Sequence, residues 1–283
     1  MKEIELRNGV KIPGIGLGTW KITDKDQLMD VIRNAWESGY RLFDTAAAYS
    51  NEIALGRAFR EIVINRNELF IQDKLWTTCY GYEAVQAACK KSLRKLKMDY
   101  LDSYLVHWPA GPGQFENWQE INADTWRGME KLYEEGYVRA IGVCNFEAFH
   151  LEELRKTANI LPFINQIEFH PGTYCPELLS YCSERGIQLE GSSPLGNGCL
   201  LGNILLNEMA GRKGITVAQL CIAWIFQHGC IAIPKTVQQK YMIENIGTAG
   251  ITLSDDEMEK INRVPFMGKF VMGRDGVIGF EKL

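Results

Sequence analysis

Four side chains able to move a proton stand where apolar runs of the chain end or on the loop just after. Asp44 follows Arg41, Leu42 and Phe43; Tyr49 comes five residues later in DTAAAYSNE; Lys74 ends the run that begins at Leu69; His107 ends the run that begins at Leu101. A phenol ordinarily titrates near about 10 and is a poor acid at neutral pH unless a neighbouring ammonium stabilises the phenolate. Lys74 suits that role, Asp44 can hold the lysine by a hydrogen-bonded charge pair, and His107 can donate to or orient a carbonyl oxygen. The chemistry such a set performs is proton transfer to a carbonyl oxygen. None of the four is a hydride source, so a reduction also needs a cofactor. Taken singly, each has a structural explanation: an Asp that caps a turn, a Tyr that covers a rim, a solvated Lys, a hydrogen-bonded His. The set acquires meaning only where neighbouring strands deliver all four to one mouth.

The elements that would do so alternate regularly. Residues 4–13 alternate around Asn8-Gly9, the pair that favours a two-residue hairpin turn. A strand is expected from Ile12 to Thr19, a helix from about Asp24 to Ser38, the strand ending at Asp44, and a helix from about Asn51 to Ile64. Strands then fall at 69–74, 101–107, 140–143, 163–167, 188–190 and 231–233. Helices fall at about 82–96, 120–135, 147–158, 176–185, 216–228 and 241–249, with extra helices near 203–212 and 254–264. Ser254 with Glu257 forms a capping-box pattern. Eight short apolar strands, each followed by a helix, predict a parallel sheet buried on both faces: a (β/α)8 TIM barrel with an N-terminal β-hairpin and two extra helices, one domain over residues 1–283. An open doubly wound sheet is disfavoured, because Gly14, Gly16 and Gly18 do not have dinucleotide-fingerprint spacing. In a barrel, function lies at the C-terminal ends of the strands, where Asp44, Tyr49, Lys74 and His107 fall.

The totals agree with a soluble globular protein. The 283 residues are 46% hydrophobic and 23% charged, and the formal charge is −4. A pI near 5.7 gives no electrostatic basis for nucleic acid or an anionic membrane as partner. No basic-then-apolar leader and no long uncharged apolar run is present. Eight cysteines lack CxxC pairs and metal-type spacing to the four histidines, so they read as reduced thiols of a cytoplasmic protein with no zinc site. No oligomer signal is visible, and a monomer is expected.

The segments GLGTW (16–20), DTAAAYSNE (44–52), KLW (74–76), LVHWP (105–109), GVCNF (142–146), NQIEFHP (165–171), SPLG (193–196), IPKT (233–236) and IEN (243–245) occur in one order along nearly the whole chain. In that set and order the chain resembles the aldo-keto reductases, in a bacterial-type, short-tailed form. The resemblance implies NAD(P)H-dependent carbonyl reduction, with Asp44, Tyr49, Lys74 and His107 as the tetrad and Tyr49 as general acid. It also implies cofactor contacts: Thr19 and Trp20; Cys144, Asn145 and Gln166 around the nicotinamide carboxamide; Ser192, Ser193, Leu195 and Gly196 along the pyrophosphate; Lys235 and Thr236 at the 2'-phosphate; Tyr241, Glu244 and Asn245 by the adenine.

Three departures stand out. Cys144 replaces the usual Ser, and Gly191-Ser192 replace the aromatic that stacks on the nicotinamide. Tyr241 takes the place of an Arg that supports the 2'-phosphate, leaving Lys235 and nearby Lys240 as the cations. Since Lys does not replace the Arg fork at a phosphate, NADPH is the expected cofactor with NADH possible. Trp20, Trp76 and Trp108 lie beside the rim motifs and would wall an apolar cleft for an aldehyde or ketone. The tail after Val264, short and Gly-rich, hints at an open site. Oxidation of alcohols or hydroxysteroids, or a non-catalytic cofactor-binding module, are the competing readings.

Overall fold

Asn8-Gly9 turns the chain as its chemistry predicts. In the computed structural model, which describes residues 3–267, β1 (Glu3–Glu5) and β2 (Lys11–Pro13) pair antiparallel with Ile4 opposite Ile12. The strand expected from Ile12 to Thr19 is divided. Pro13 ends the hairpin, and Gly16–Gly18 forms β3 in a second sheet.

That sheet is entirely parallel: β3, β4 (Leu42–Asp44), β5 (Phe70–Leu75), β6 (Ser103–Val106), β7 (Ile141–Cys144), β8 (Ile164–Glu168), β9 (Gln188–Ser192) and β10 (Ile231–Ile233), each bonded to the next. Its ends meet. Ala232 N donates to Gly14 O at 3.1 Å and Gly18 N to Pro234 O at 2.9 Å, with Ile15 bridging Ala232 in parallel. The result is a barrel without a free inner edge. Gly16 makes this closure possible, because a Cβ there would lie 2.5 Å from Leu42 Cγ and 2.9 Å from Ile233 Cδ1.

One helix follows each of the first six barrel strands: α1 (Lys25–Glu37), α2 (Glu52–Glu61), α3 (Tyr82–Leu96), α4 (Trp118–Glu134), α5 (Ala148–Arg155) and α6 (Pro176–Glu184). The extra helix α7 (Ile204–Lys213) precedes α8 (Val217–Gln227), and α9 (Gln239–Ile246) and the extra helix α10 (Asp255–Asn262) complete the described chain. Boundaries shift by a few residues from the periodicity where backbone geometry intervenes. The helix expected over 241–249 starts two residues earlier and stops at Ile246, before Gly247. Ser254 and Glu257 form the expected capping box, and Thr216 and Gln219 form another at the start of α8.

The hairpin lies against the end of the barrel opposite the strand C-termini. Arg7 donates to Leu161 O at 2.8 Å and to Arg185 O at 2.7 Å, and Asn8 Nδ2 donates to Arg139 O at 2.9 Å. All three acceptors stand shortly before strands. Among the described residues no helix is long and apolar enough to cross a membrane, and no cluster of metal-ligating side chains occurs. Most of the tail expected to bear on the site, everything after Met267, lies outside the described residues.

Candidate active site

Strand alternation and one short loop bring the four proton-transfer groups together. Asp44 is the last residue of β4 and Lys74 the second-last of β5, and both side chains turn into the barrel. His107 directly follows β6, its backbone N–H donating to Leu75 O at 3.1 Å. Tyr49 ends a 3-10 turn, Ala47–Tyr49, after which Ser50 takes φ 56°. Asn51 fixes this loop, donating from Nδ2 to Thr19 O at 3.0 Å and accepting from Thr45 Oγ1 at 2.7 Å.

Lys74 Nζ donates to Asp44 Oδ1 at 2.5 Å and to Thr45 O at 3.1 Å. It lies 5.3 Å from the centroid of the Tyr49 ring. His107 meets Tyr49 edge to face at 5.8 Å and Trp76 at 5.3 Å between centroids. Burial raises the Tyr49 phenol well above its ordinary value, with Lys74 pulling the other way. The phenol is thus fully protonated at neutral pH, the state an acid must start from. For Lys74, burial alone would favour the neutral amine, but Asp44 and Tyr49 outweigh it and the ammonium is raised above its ordinary value. His107 is lowered well below its usual range, by burial first and by Lys74 second. Its imidazole is neutral, and its Nδ1 has no partner among the described residues.

Asp44, Tyr49 and His107 line the inner end of a cleft of about 1020 Å³ that runs outward over the strand ends. Trp20, Trp76 and Trp108 line it, together with Lys21, Phe146 and Glu147. So do Cys144, Asn145 and Gln166. Asn145 takes φ 64°, which aims its amide across the rim so that Nδ2 donates to His107 O at 3.0 Å and to Cys144 Sγ at 3.2 Å. Cys144 is buried, and desolvation raises its thiol above the ordinary value, so it offers a neutral S–H and a weak hydrogen bond where Ser would give a stronger one.

Farther along the cleft come Ser192, Ser193 and Leu195, then Lys235, Thr236, Tyr241, Glu244 and Asn245. Ser193 stands at φ 51°, and the Ser192 hydroxyl donates to Ile167 O at 3.1 Å. A Cβ on Gly191 would lie 3.1 Å from Phe169 O, so no larger side chain fits at that position without a shift. Two of the expected cofactor residues stand behind the wall of the cleft. Thr19 is fully buried and donates from Oγ1 to Asp44 O at 2.9 Å. Gly196 is buried at φ +53°, and a Cβ there would lie 2.7 Å from Cys199 Sγ, so it shapes the loop carrying Ser193 and Leu195.

Sequence reasoning did not find a polar layer beneath the tetrad. Gln72 Nε2 donates to Asp44 Oδ1 at 2.9 Å and to Glu190 Oε2 at 2.7 Å. Gln166 Nε2 donates to the same two oxygens at 3.1 and 2.9 Å. Ser103 Oγ donates to Gln72 Oε1 at 2.7 Å. The only sequence signal was polarity inside predicted strands at Gln72, Gln166 and Glu190. Nor was α7 recognised as part of the cleft, although Asn207 lines it and the Asn197-Gly198 turn before it contributes as well.

The aldo/keto reductase family model matches residues 14–265. The chain is 44% identical over 259 residues to a glyoxal reductase of Bacillus subtilis (strain 168), covering 92% of this chain and 91% of that protein. Among solved structures it resembles MGS-M4, an aldo-keto reductase from a Medee basin deep-sea metagenome library, with a TM-score of 0.90 and 35% identity over 98% of this chain and 100% of that one. It also resembles an aldo-keto reductase of Bombyx mori in complex with NADP, with a TM-score of 0.86 and 30% identity over 93% of this chain and 92% of that one. A match across most of the chain, on a closed barrel with the proton-transfer groups at its strand ends, places this protein in the aldo/keto reductase family.

Proposed function

We propose that the chain reduces small aldehydes and ketones to alcohols, with NADPH as preferred cofactor and NADH accepted. The observation that carries this reading is the protonated, half-buried Tyr49 phenol at the inner end of the cleft, beside a Lys74 ammonium anchored on Asp44. A carbonyl oxygen placed there receives the phenol proton. Lys74 stabilises the phenolate left behind, and neutral His107 orients the oxygen without competing as a charged acid. Trp20, Trp76 and Trp108 wall the substrate end and exclude water.

The remaining donors fit a nicotinamide dinucleotide phosphate. Amides at Asn145 and Gln166 offer both donor and acceptor to a carboxamide, hydroxyls and backbone at Ser192, Ser193 and Leu195 suit a pyrophosphate, and Lys235 with Thr236 suits a phosphate ester. Such a cofactor supplies the hydride. The NADP complex of the Bombyx mori relative supports this choice. The glyoxal reductase relative supports a small, reactive carbonyl as substrate.

Tyr49→Phe tests the reading, because it keeps the ring and deletes the acid. Reduction of glyoxal or another small aldehyde should fall by about 10²–10⁴-fold, while NADPH binding, followed by quenching of tryptophan fluorescence, stays within about twofold. Full activity in the variant would place the acid elsewhere.

A further inference from the structure

The interiors of (β/α)8 barrels are filled by layers of mainly branched apolar side chains. Here one layer holds Asp44, Gln72, Ser103, Gln166 and Glu190, each buried. The strand register explains their meeting, since Asp44 pairs with Gln72, Gln72 with Ser103, and Gln166 with Glu190. Hydrogen bonds from Gln72 and Gln166 then cross the barrel to close the group.

We propose that Glu190, with Gln72, is a positioning residue that locks the Gln166 amide with its nitrogen toward the barrel axis and its oxygen toward the nicotinamide carboxamide. This rests on the cofactor placement proposed above. An amide nitrogen has two hydrogens, and both on Gln166 are used, one by Asp44 and one by Glu190. Turning the amide over would set its oxygen against two carboxylates. Gln72 is saturated in the same way, so it cannot release either carboxylate to another partner. Gln166 Oε1, which accepts weakly from Cys144 Sγ at 3.9 Å, therefore has its remaining lone pair turned into the cleft. There it accepts from an N–H of the carboxamide. Asp44 alone would bias the amide; Glu190 supplies the second acceptor that fixes it. Burial pushes Glu190 up to about 7. Among the described residues its Oε1 has no partner, so a proton taken up there leaves Oε2 still able to accept.

The test compares NADP+ with its 3-acetylpyridine analogue, in which a methyl replaces the carboxamide NH2, by the ratio of their Kd values. The native protein should prefer NADP+ by about two- to tenfold, the worth of one hydrogen bond. Glu190→Leu should lose at least half of that preference, and Glu190→Gln, which can still present an oxygen to both amides, should restore it. A structural defect would weaken both ligands equally and leave the ratio unchanged. An unchanged ratio in Glu190→Leu, or no preference in the native protein, overturns the proposal. No binding of either dinucleotide to the native protein would instead overturn the cofactor assignment itself. If Glu190→Leu does not fold, the native protein still decides the matter by 15N NMR. Slow hydrogen exchange at the Gln166 side-chain amide supports the lock, and exchange as fast as at exposed glutamines overturns it.

Discussion

Lys235 and Tyr241 both face the outer part of the cleft, and Lys235 brings the charge. Tyr241 is 41% exposed, with Lys240 Nζ lying 4.6 Å over its ring. Among the described residues, a phosphate at this end meets ammonium groups but no planar fork. Tyr241→Arg should therefore raise the ratio of kcat/KM for NADPH over NADH by about tenfold, the gain of one charge-assisted hydrogen bond, measured by steady-state kinetics with one aldehyde. A smaller change, or one in the opposite direction, would mean that the phosphate is bound elsewhere. The four proton-transfer groups could be picked out in the sequence because Asp44, Lys74 and His107 each end an apolar run and Tyr49 follows Asp44 on the same loop. Glu190 and Gln72 were not legible in that way. Each is one polar residue in a predicted strand, and its partners are set by barrel register, which brings residues more than a hundred positions apart into hydrogen-bond contact.

On the outer side of β5, alternation turns Asp73 away from the barrel axis and toward α2 and α3, where Glu52 is also buried. Lys95 pairs with Glu52, and Lys74 N donates to Asp73 Oδ1 at 2.7 Å. Among the described residues Glu52 Oε1 nevertheless has no partner. Burial, and next the neighbouring Glu52, raise Asp73 well above the usual carboxylate range. A carboxyl whose pKa is higher in the folded than in the unfolded chain binds more protons when folded, so its contribution to stability falls as pH climbs from about 4 through neutrality. Asp73→Asn, which keeps the Oδ1 acceptor, should flatten that decline and make the protein more stable than the native form at pH 8, as read by urea unfolding between pH 5 and 8. A native protein whose stability rises over that interval would refute the assignment. Helix and strand positions were predictable from periodicity to within a few residues. The break at Pro13 was not, because a chain alternating between two different sheets looks continuous in sequence.

For the molecule as a whole, the ring of helices is set as closely as the strands. Gly56 of α2 meets the C-terminus of α3, where a Cβ would lie 2.3 Å from Leu96 O, and Gly128 of α4 meets α3, where a Cβ would lie 2.2 Å from Val85 Cγ1. Leu96 O is backbone and cannot swing aside. Gly56→Ala should cost about 1–3 kcal/mol through forced displacement of α2 from α3, lowering Tm by several degrees in calorimetry. An unchanged Tm would show that the two helices separate freely. The barrel itself was legible because eight strand-helix repeats leave few alternatives. Its seam was not, since no local pattern announces that Gly14 and Ala232 will bond.

That seam sets a schedule for the nascent chain. The backbone partners of Gly14 and Gly18 across the seam, Ala232 and Pro234, are synthesised more than two hundred residues after them, and the carbonyls that anchor Arg7 and Asn8 lie between Arg139 and Arg185. Until β10 emerges from the ribosome, one edge of β3 stays unpaired, exposed to misplaced strands of its own or a neighbouring polypeptide. Chains halted short of Pro234 should therefore be the ones that need chaperone protection.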